Sequence, residues 1–310
     1  MSPGAARRTW RRFAANRGAV GGLVFLIALV AVAALAPVLV PRSPWEVVAR
    51  PFTLPGAVHP FGTDTLGRDI LAGVLHGARV SLLIGVAATA VSTAIGVSVG
   101  LVAGYRGGWT DEFLMRATEF FQIVPGFVLA VVLIAIFQPS LLTVVLAIGV
   151  VGWSPMARLV RAEVMSLRAR EFVLAERALG AADAKIMLGT ILPNTVSVIC
   201  VYASLLVATS ILFESSLSFL GLGDPNHMSW GYMVGAARGV LRIAWWMPVF
   251  PGLAILLTVL SINLVGDGIS DVLNPRSRAR TPTVFPNLEL RATPAEAEPV
   301  AGLASTATSV

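Results

Sequence analysis

The sequence predicts an all-α integral membrane protein with about six transmembrane helices, each needing about 20 apolar residues. Three observations carry that prediction. Hydrophobic residues make up 56% and charged residues 13% of the 310 residues, and mean hydropathy is +0.80; soluble domains hold about 45–50% apolar and about 25% charged residues. Apolar runs of spanning length recur along the chain, separated by segments bearing proline or arginine. The arginines stand beside those runs, as expected where cytoplasmic loops collect basic side chains. Net charge is +6 and the pI about 10.6. No arginine–aromatic stripe or nucleic-acid fold pattern accompanies that charge, so membrane lipid is the expected partner and nucleic acid is not.

Residues 1–60 open with Arg7, Arg8, Arg11, Arg12 and Arg17 and then an apolar run from Val20 to Val40. That run is longer than a signal-peptide core, and further spans follow it. It therefore predicts an uncleaved first span with a cytoplasmic N-terminus, although Arg11-Arg12-Phe13 is similar to a twin-arginine start. Residues 41–78 are proline-punctuated and external on that count. Thr63 or Asp64 is placed to cap an interfacial helix with Leu66, Ile70, Leu71, Val74 and Leu75 on its apolar face.

Residues 61–275 read as one transmembrane domain. Its second span, Val80–Val102, carries Gly85, Gly96 and Gly100, which suit close helix packing. A short loop with Arg106, Asp111, Glu112 and Arg116 leads to a third span, Phe120–Phe137. The turn Gln138-Pro139-Ser140 then begins a fourth, Leu141–Leu159. Pro125 and Pro155 predict kinks whose freed carbonyls need partners. The fifth span, Thr195–Phe213, ends at Glu214, and the sixth, Pro248–Val265, holds Asn263. A carboxyl in lipid is costly, so Glu214 should face protein or water. There it either pairs locally or, with Asn263, lines a solute route or outer gate. Residues 276–310, rich in Pro, Ala and Thr, predict a disordered cytoplasmic tail.

The most informative stretch lies in the loop 160–193, from Glu171 to Asn194. Phe172, Ala175 and Leu179 recur at helical spacing while Arg170, Glu176 and Arg177 turn elsewhere, which predicts a short amphipathic helix. Gly180 ends it. Asp183 can cap a second helix through Ile186 and Met187, and Pro193 keeps that helix from continuing unchanged. Ala178 and Ala181 keep the surface small enough for another protein's backbone to approach. Arg158, Arg161, Arg168, Arg170, Arg177 and Lys185 lie in or beside this loop. Four spans separate it from the N-terminal arginines, so both clusters, and the C-terminal tail two spans on, fall on the cytoplasmic side.

Several chemistries are excluded. Lys185 is the one lysine and follows Ala184, so no P-loop is present; nor is any HExxH, GxSxG or CxxC. His59, His76 and His227 are too scattered for a metal site, and Cys200 lies within a span where packing is its ordinary role. No catalytic, cofactor or metal site is expected. An ion-coupled secondary transporter is the alternative to a passive gate, but such a protein favours mid-span carboxylates, which these runs almost entirely lack.

Gly180, Leu192 and Pro193 stand at the spacing of a loop found in ABC-importer permease subunits, where Glu-Ala-Ala precedes a glycine and a Leu-Pro. Of the opening triplet, the sequence matches at Ala175, with Leu174 and Glu176 on either side. GTDTLGRD, FVLAERALGA, ESSLSFLGLG and SWGYM resemble the dipeptide, oligopeptide and nickel branch of that family over roughly residues 60–275. The resemblance implies the type I ABC-importer permease fold, with the loop as a cytoplasmic coupling helix docked on an ATPase. It implies a heterodimer with a second homologous permease subunit, two ABC ATPase subunits that bind the ATP, and an extracytoplasmic solute-binding protein. Phe172, Ala175, Glu176, Ala178, Gly180, Ala181, Asp183 and Pro193 are the implied coupling residues.

Overall fold

The computed structural model describes residue 11 and residues 13–273; Arg7, Arg8, Arg12 and the expected tail over 276–310 lie outside them. The chain runs through α1 (Arg17–Leu39), α2 (Ile70–Arg106), α3 (Gly108–Ile123), α4 (Gly126–Phe137), α5 (Leu141–Arg168), α6 (Glu171–Ala178), α7 (Asp183–Phe219), α8 (Trp230–Ala237) and α9 (Trp246–Leu273). Among the described residues, α1, α2, α5, α7 and α9 are the 5 helices long and apolar enough to cross a membrane. Counting α3 and α4 as one broken span raises the number to 6.

Two expected elements come out differently. The interfacial helix does not exist apart from the second span, because α2 absorbs both. Thr63 is not its cap: it is buried, and its hydroxyl donates to the Arg50 carbonyl at 2.8 Å. Asp64 instead accepts the N–H groups of Leu66 and Arg68, each at 2.8 Å. Gly67, at φ +81°, turns the chain out of helical phase, so the cap falls to Asp69, which accepts from Ala72 N at 3.2 Å. The second difference is the expected loop at 106–116, which is largely helical. Gly107, at φ +67°, ends α2. Asp111 then sits in the first turn of α3, where its charge suits the helix dipole. α3 bends 81° into α4 at Val124-Pro125, since proline has no N–H to continue the ladder and forces the preceding residue extended.

The bundle is held by close backbone approach, as the glycines of the second span predict. Along α2, Gly96 and Gly104 abut α5: a Cβ at either would lie 2.7 Å from a backbone oxygen, that of Trp153 or Arg161. Gly100 lies between them against Ala157 and Val160, and Gly85 meets Ile211 of α7. In lipid, apolar burial between helices yields little, so such contact is the main source of association.

At one end, residues 44–69 fold back over α8 and the start of α9. Trp246 Nε1 donates to the Thr63 carbonyl at 3.2 Å, Phe61 stacks on Phe250 at 4.0 Å, and Trp230 Nε1 donates to Val74 O at 2.9 Å. Asp224 ties the loop before α8 to α5, accepting Leu141 N and Asn226 N at 2.8 Å and pairing with His227 at 2.9 Å. Burial opposes its ionisation, but the Asn226 N–H, the His227 ring and the Leu141 N–H together hold its pKa below the usual carboxylate value. Asp224→Ala should lower stability in detergent at pH 7 by about 1–3 kcal/mol, read by thermal unfolding. Because the folded pKa is depressed, this contribution is present above the ordinary value of about 3.9 and fades as pH falls through the lower folded value. The wild-type and variant melting curves should therefore converge in acid.

At the other end lie the start of α1 and the finish of α9, joined by Asn16 Nδ2 donating to Asp271 Oδ2 at 3.4 Å. The end of α1 meets α2 through the His76 ring and Val40 O at 3.0 Å.

Candidate functional site

Residues 171–191 fold where α2 and α5 finish. Val173, fully buried, anchors α6 in a cluster with Tyr105, Val164, Leu167, Ile186 and Ile191. With Val173 turned inward, Glu176 follows on the same face, and Thr190 Oγ1 donates to its carboxylate at 2.9 and 3.0 Å. The predicted apolar stripe is therefore not the buried face. Phe172 is 45% and Leu179 87% exposed, and Ala175 and Ala178 are exposed with them. An apolar face directed away from its own bundle is what a docking helix would present.

Gly180 closes α6 at φ +79°. Its N–H reaches Arg177 O at 3.0 Å and that of Ala181 reaches Glu176 O at 3.1 Å, the paired bonds that satisfy a helix end when glycine takes the left-handed turn. Nothing lies within 4 Å of where its Cβ would be. Ala181, partly buried, packs on the Val173 cluster.

Asp183 does not cap the next helix. Ala182 takes the cap position without a side-chain bond, and Asp183 Oδ1 instead accepts the Tyr105 hydroxyl at 2.6 Å. At Pro193 the helix changes form without ending. The chain widens into a π-helical stretch, Ile186–Ile191, and Pro193 then sits in the first turn of the α-helical run from Leu192. Proline has no N–H to give a carbonyl one turn back, and the wider preceding turn leaves room for its ring. Thus α7 passes from loop to span as one continuous helix.

Two further cations hold the loop end. Arg168 Nη1 donates to Tyr105 O at 2.7 Å, and the Arg177 guanidinium lies 5.4 Å from the Tyr105 ring centre. Close by in the chain, Arg161 and Asp111 form a two-point ion pair joining α5 to α3, with Nη2–Oδ2 at 2.6 Å.

Glu214 lies inside α7 and not at its end, which is Phe219. It is 2% exposed, and its Oε1 accepts the hydroxyls of Ser218 and Ser229, each at 2.7 Å. Through Ser229, the N-cap of α8, it ties that short helix to the span. Asn263 is not with it. That side chain lines an open hollow of about 710 Å³ with Glu163, Arg170, Tyr202 and Asp267. Cys200 is exposed on α7 and not packed inside. The histidines are engaged singly, His59 with Asp69 and His227 with Asp224, both at 2.9 Å. Tyr105, Val173 and Thr190 are absent from the sequence-based site, because their roles depend on partners far along the chain or on which helical face is buried.

The family model for the binding-protein-dependent transport system inner membrane component matches residues 96–279. That for the N-terminal transmembrane domain of oligopeptide transport permease C matches residues 4–53. The chain is 40% identical to the di/tripeptide transport system permease protein DppC of Pseudomonas aeruginosa, over 88% of this chain and 93% of that one. It is also 40% identical to the dipeptide transport system permease protein DppC of Bacillus subtilis, over 87% of this chain and 85% of that one. In structure it is similar to a chain of the MetNI methionine ABC transporter in an inward-facing crystal form. That match has a TM-score of 0.56 at 17% identity and covers 66% of this chain and 98% of that one. The helices have the type I ABC-importer arrangement, and the chain belongs to the family of binding-protein-dependent transport system inner membrane components.

Proposed function

We propose that this chain is a peptide-translocating permease subunit of an ABC importer, moving its solute by alternating access. The observation that carries the reading is near end-to-end identity of 40% to permeases named for di- and tripeptides. Those names favour peptides over nickel. The chain does no covalent chemistry and holds no cofactor; two separate ATPase subunits bind the ATP and dock on residues 171–193. A second homologous permease completes a heterodimer, and an extracytoplasmic binding protein delivers the solute. The exposed stripe of Phe172, Ala175 and Leu179 and the unobstructed Gly180 support the docking role. The arginine-rich end, with Arg168, Arg170 and Arg177, is cytoplasmic by the positive-inside rule. Asn16 and Asp271 lie at one end of the bundle, which supports cytoplasmic termini.

Reconstituted vesicles test this reading. Uptake of a labelled dipeptide should require ATP, both ATPases, the partner permease and the binding protein together. Uptake by this chain alone, driven by a proton or sodium gradient, would establish the ion-coupled alternative.

A further inference from the structure

Three helices converge on Tyr105. It occupies the last turn of α2, just before the glycine that ends it. Its hydroxyl donates to Asp183, the first residue of α7, at 2.6 Å. Its carbonyl accepts from Arg168, in the last turn of α5, at 2.7 Å. Arg177 of α6 lies over its ring, and its body is buried in the cluster that holds Val173.

The loop is joined covalently to α5 on one side and to α7 on the other, but to α2 by no short chain connection. A displacement of the loop reaches α7 directly through the continuous helix from Asp183. It reaches α2 through the glycine seam with α5 and through the side chains that meet at Tyr105, where the bond to Asp183 ties α2 to the loop itself. Long, exposed ion pairs are compliant and worth little. A phenol with one buried ring and one short bond to a carboxylate is stiff, and bonds to charged groups are the stronger class.

We infer that Tyr105 is the positioning residue that carries movement of residues 171–183 into α2. The Tyr105–Asp183 bond is the link, and the inference rests on the docking role proposed above. When the bond is present, α2, α5 and the loop move as one body; when it is lost, the ATPases turn over while α2 lags. The effect is therefore on efficiency, measured as peptide moved per ATP hydrolysed.

The test uses the complete importer in vesicles. Tyr105→Phe keeps the buried ring and its Arg177 contact and removes the hydroxyl, and Asp183→Leu removes the acceptor. Each should lower peptide moved per ATP by about tenfold, as loss of a bond to a charged group implies. The double variant should be no worse than either single one, because both remove the same link. Asp183→Asn retains an acceptor and should recover most of the ratio. Poor folding lowers both rates together and leaves the ratio unmoved, so the readout separates linkage from structure.

Docking is measured separately, by cross-linking a cysteine at Ala178 to the ATPase in a Cys200→Ser background. Cross-linking with an unchanged ratio in Tyr105→Phe would overturn the link and leave the docking role standing. Additive losses in the double variant would do the same. An absent cross-link in otherwise unaltered protein would overturn the docking role and the link with it.

Discussion

Gly180→Trp should insert and fold normally yet abolish ATP-driven peptide uptake. The position is at φ +79° with nothing within 4 Å of where a Cβ would stand, so a side chain can leave the backbone there without collision. The cost inside the chain is the left-handed backbone, about 1–2 kcal/mol for a non-glycine residue. That strain is confined to one exposed turn. Outside the chain the cost is larger, because the indole stands beside the exposed Phe172–Leu179 face where a docked partner would press. Disturbing the centre of an interface costs about 2 kcal/mol or more, at least about thirtyfold in affinity. Gly180→Ala separates the two effects, since it carries the same backbone strain without the bulk. Uptake should fall far less in Gly180→Ala than in Gly180→Trp. Normal uptake by Gly180→Trp, with normal amounts in the membrane, would count decisively against docking at this loop.

Gly100→Leu should fail at an earlier stage, in folding. A Cβ there would lie 2.8 Å from Val160 Cβ and 3.0 Å from Arg161 N, and it would also meet the Ala157 carbonyl, which belongs to backbone and cannot rotate away. Relief requires α2 and α5 to separate, which opens the same seam at Gly96 and Gly104. Overpacking a fitted core costs about 1–3 kcal/mol, and three coupled contacts place this variant at the upper end, near a loss of about 3 kcal/mol. Thermal unfolding in detergent reads it directly. Gly21→Leu is the control: nothing lies within 4 Å of its Cβ position on α1, so its melting temperature should barely move. In vesicles, Gly100→Leu should lower uptake and ATP hydrolysis together, in contrast to Tyr105→Phe.

The membrane class, the approximate spans, the tight glycine face of α2 and the helix–glycine–helix form of residues 171–185 are all legible in the sequence. Each depends on the order of neighbouring residues, through apolar run length and the conformational freedom of glycine. Residue type does not single out the cap of α2, because Thr63, Asp64 and Asp69 are all good caps. The phase break at Gly67 and the bond from Thr63 to Arg50 choose among them. Likewise, Phe172, Ala175 and Leu179 form a regular stripe, and regularity alone does not say whether a stripe faces a core or a partner.

The sequence by itself determined that this chain crosses a membrane repeatedly, has no P-loop pattern and carries a short glycine-ended helix between spans. Local composition and spacing are enough for those properties. Tertiary structure decided that Val173 is the anchor, that Glu214 is sealed among serines, and that Asp183 binds Tyr105 rather than capping its own helix. The physical reason is distance along the chain. Tyr105 and Asp183 are 78 residues apart, and a hydrogen bond between them exists only once glycine-lined helices have packed closely enough to bring their ends together.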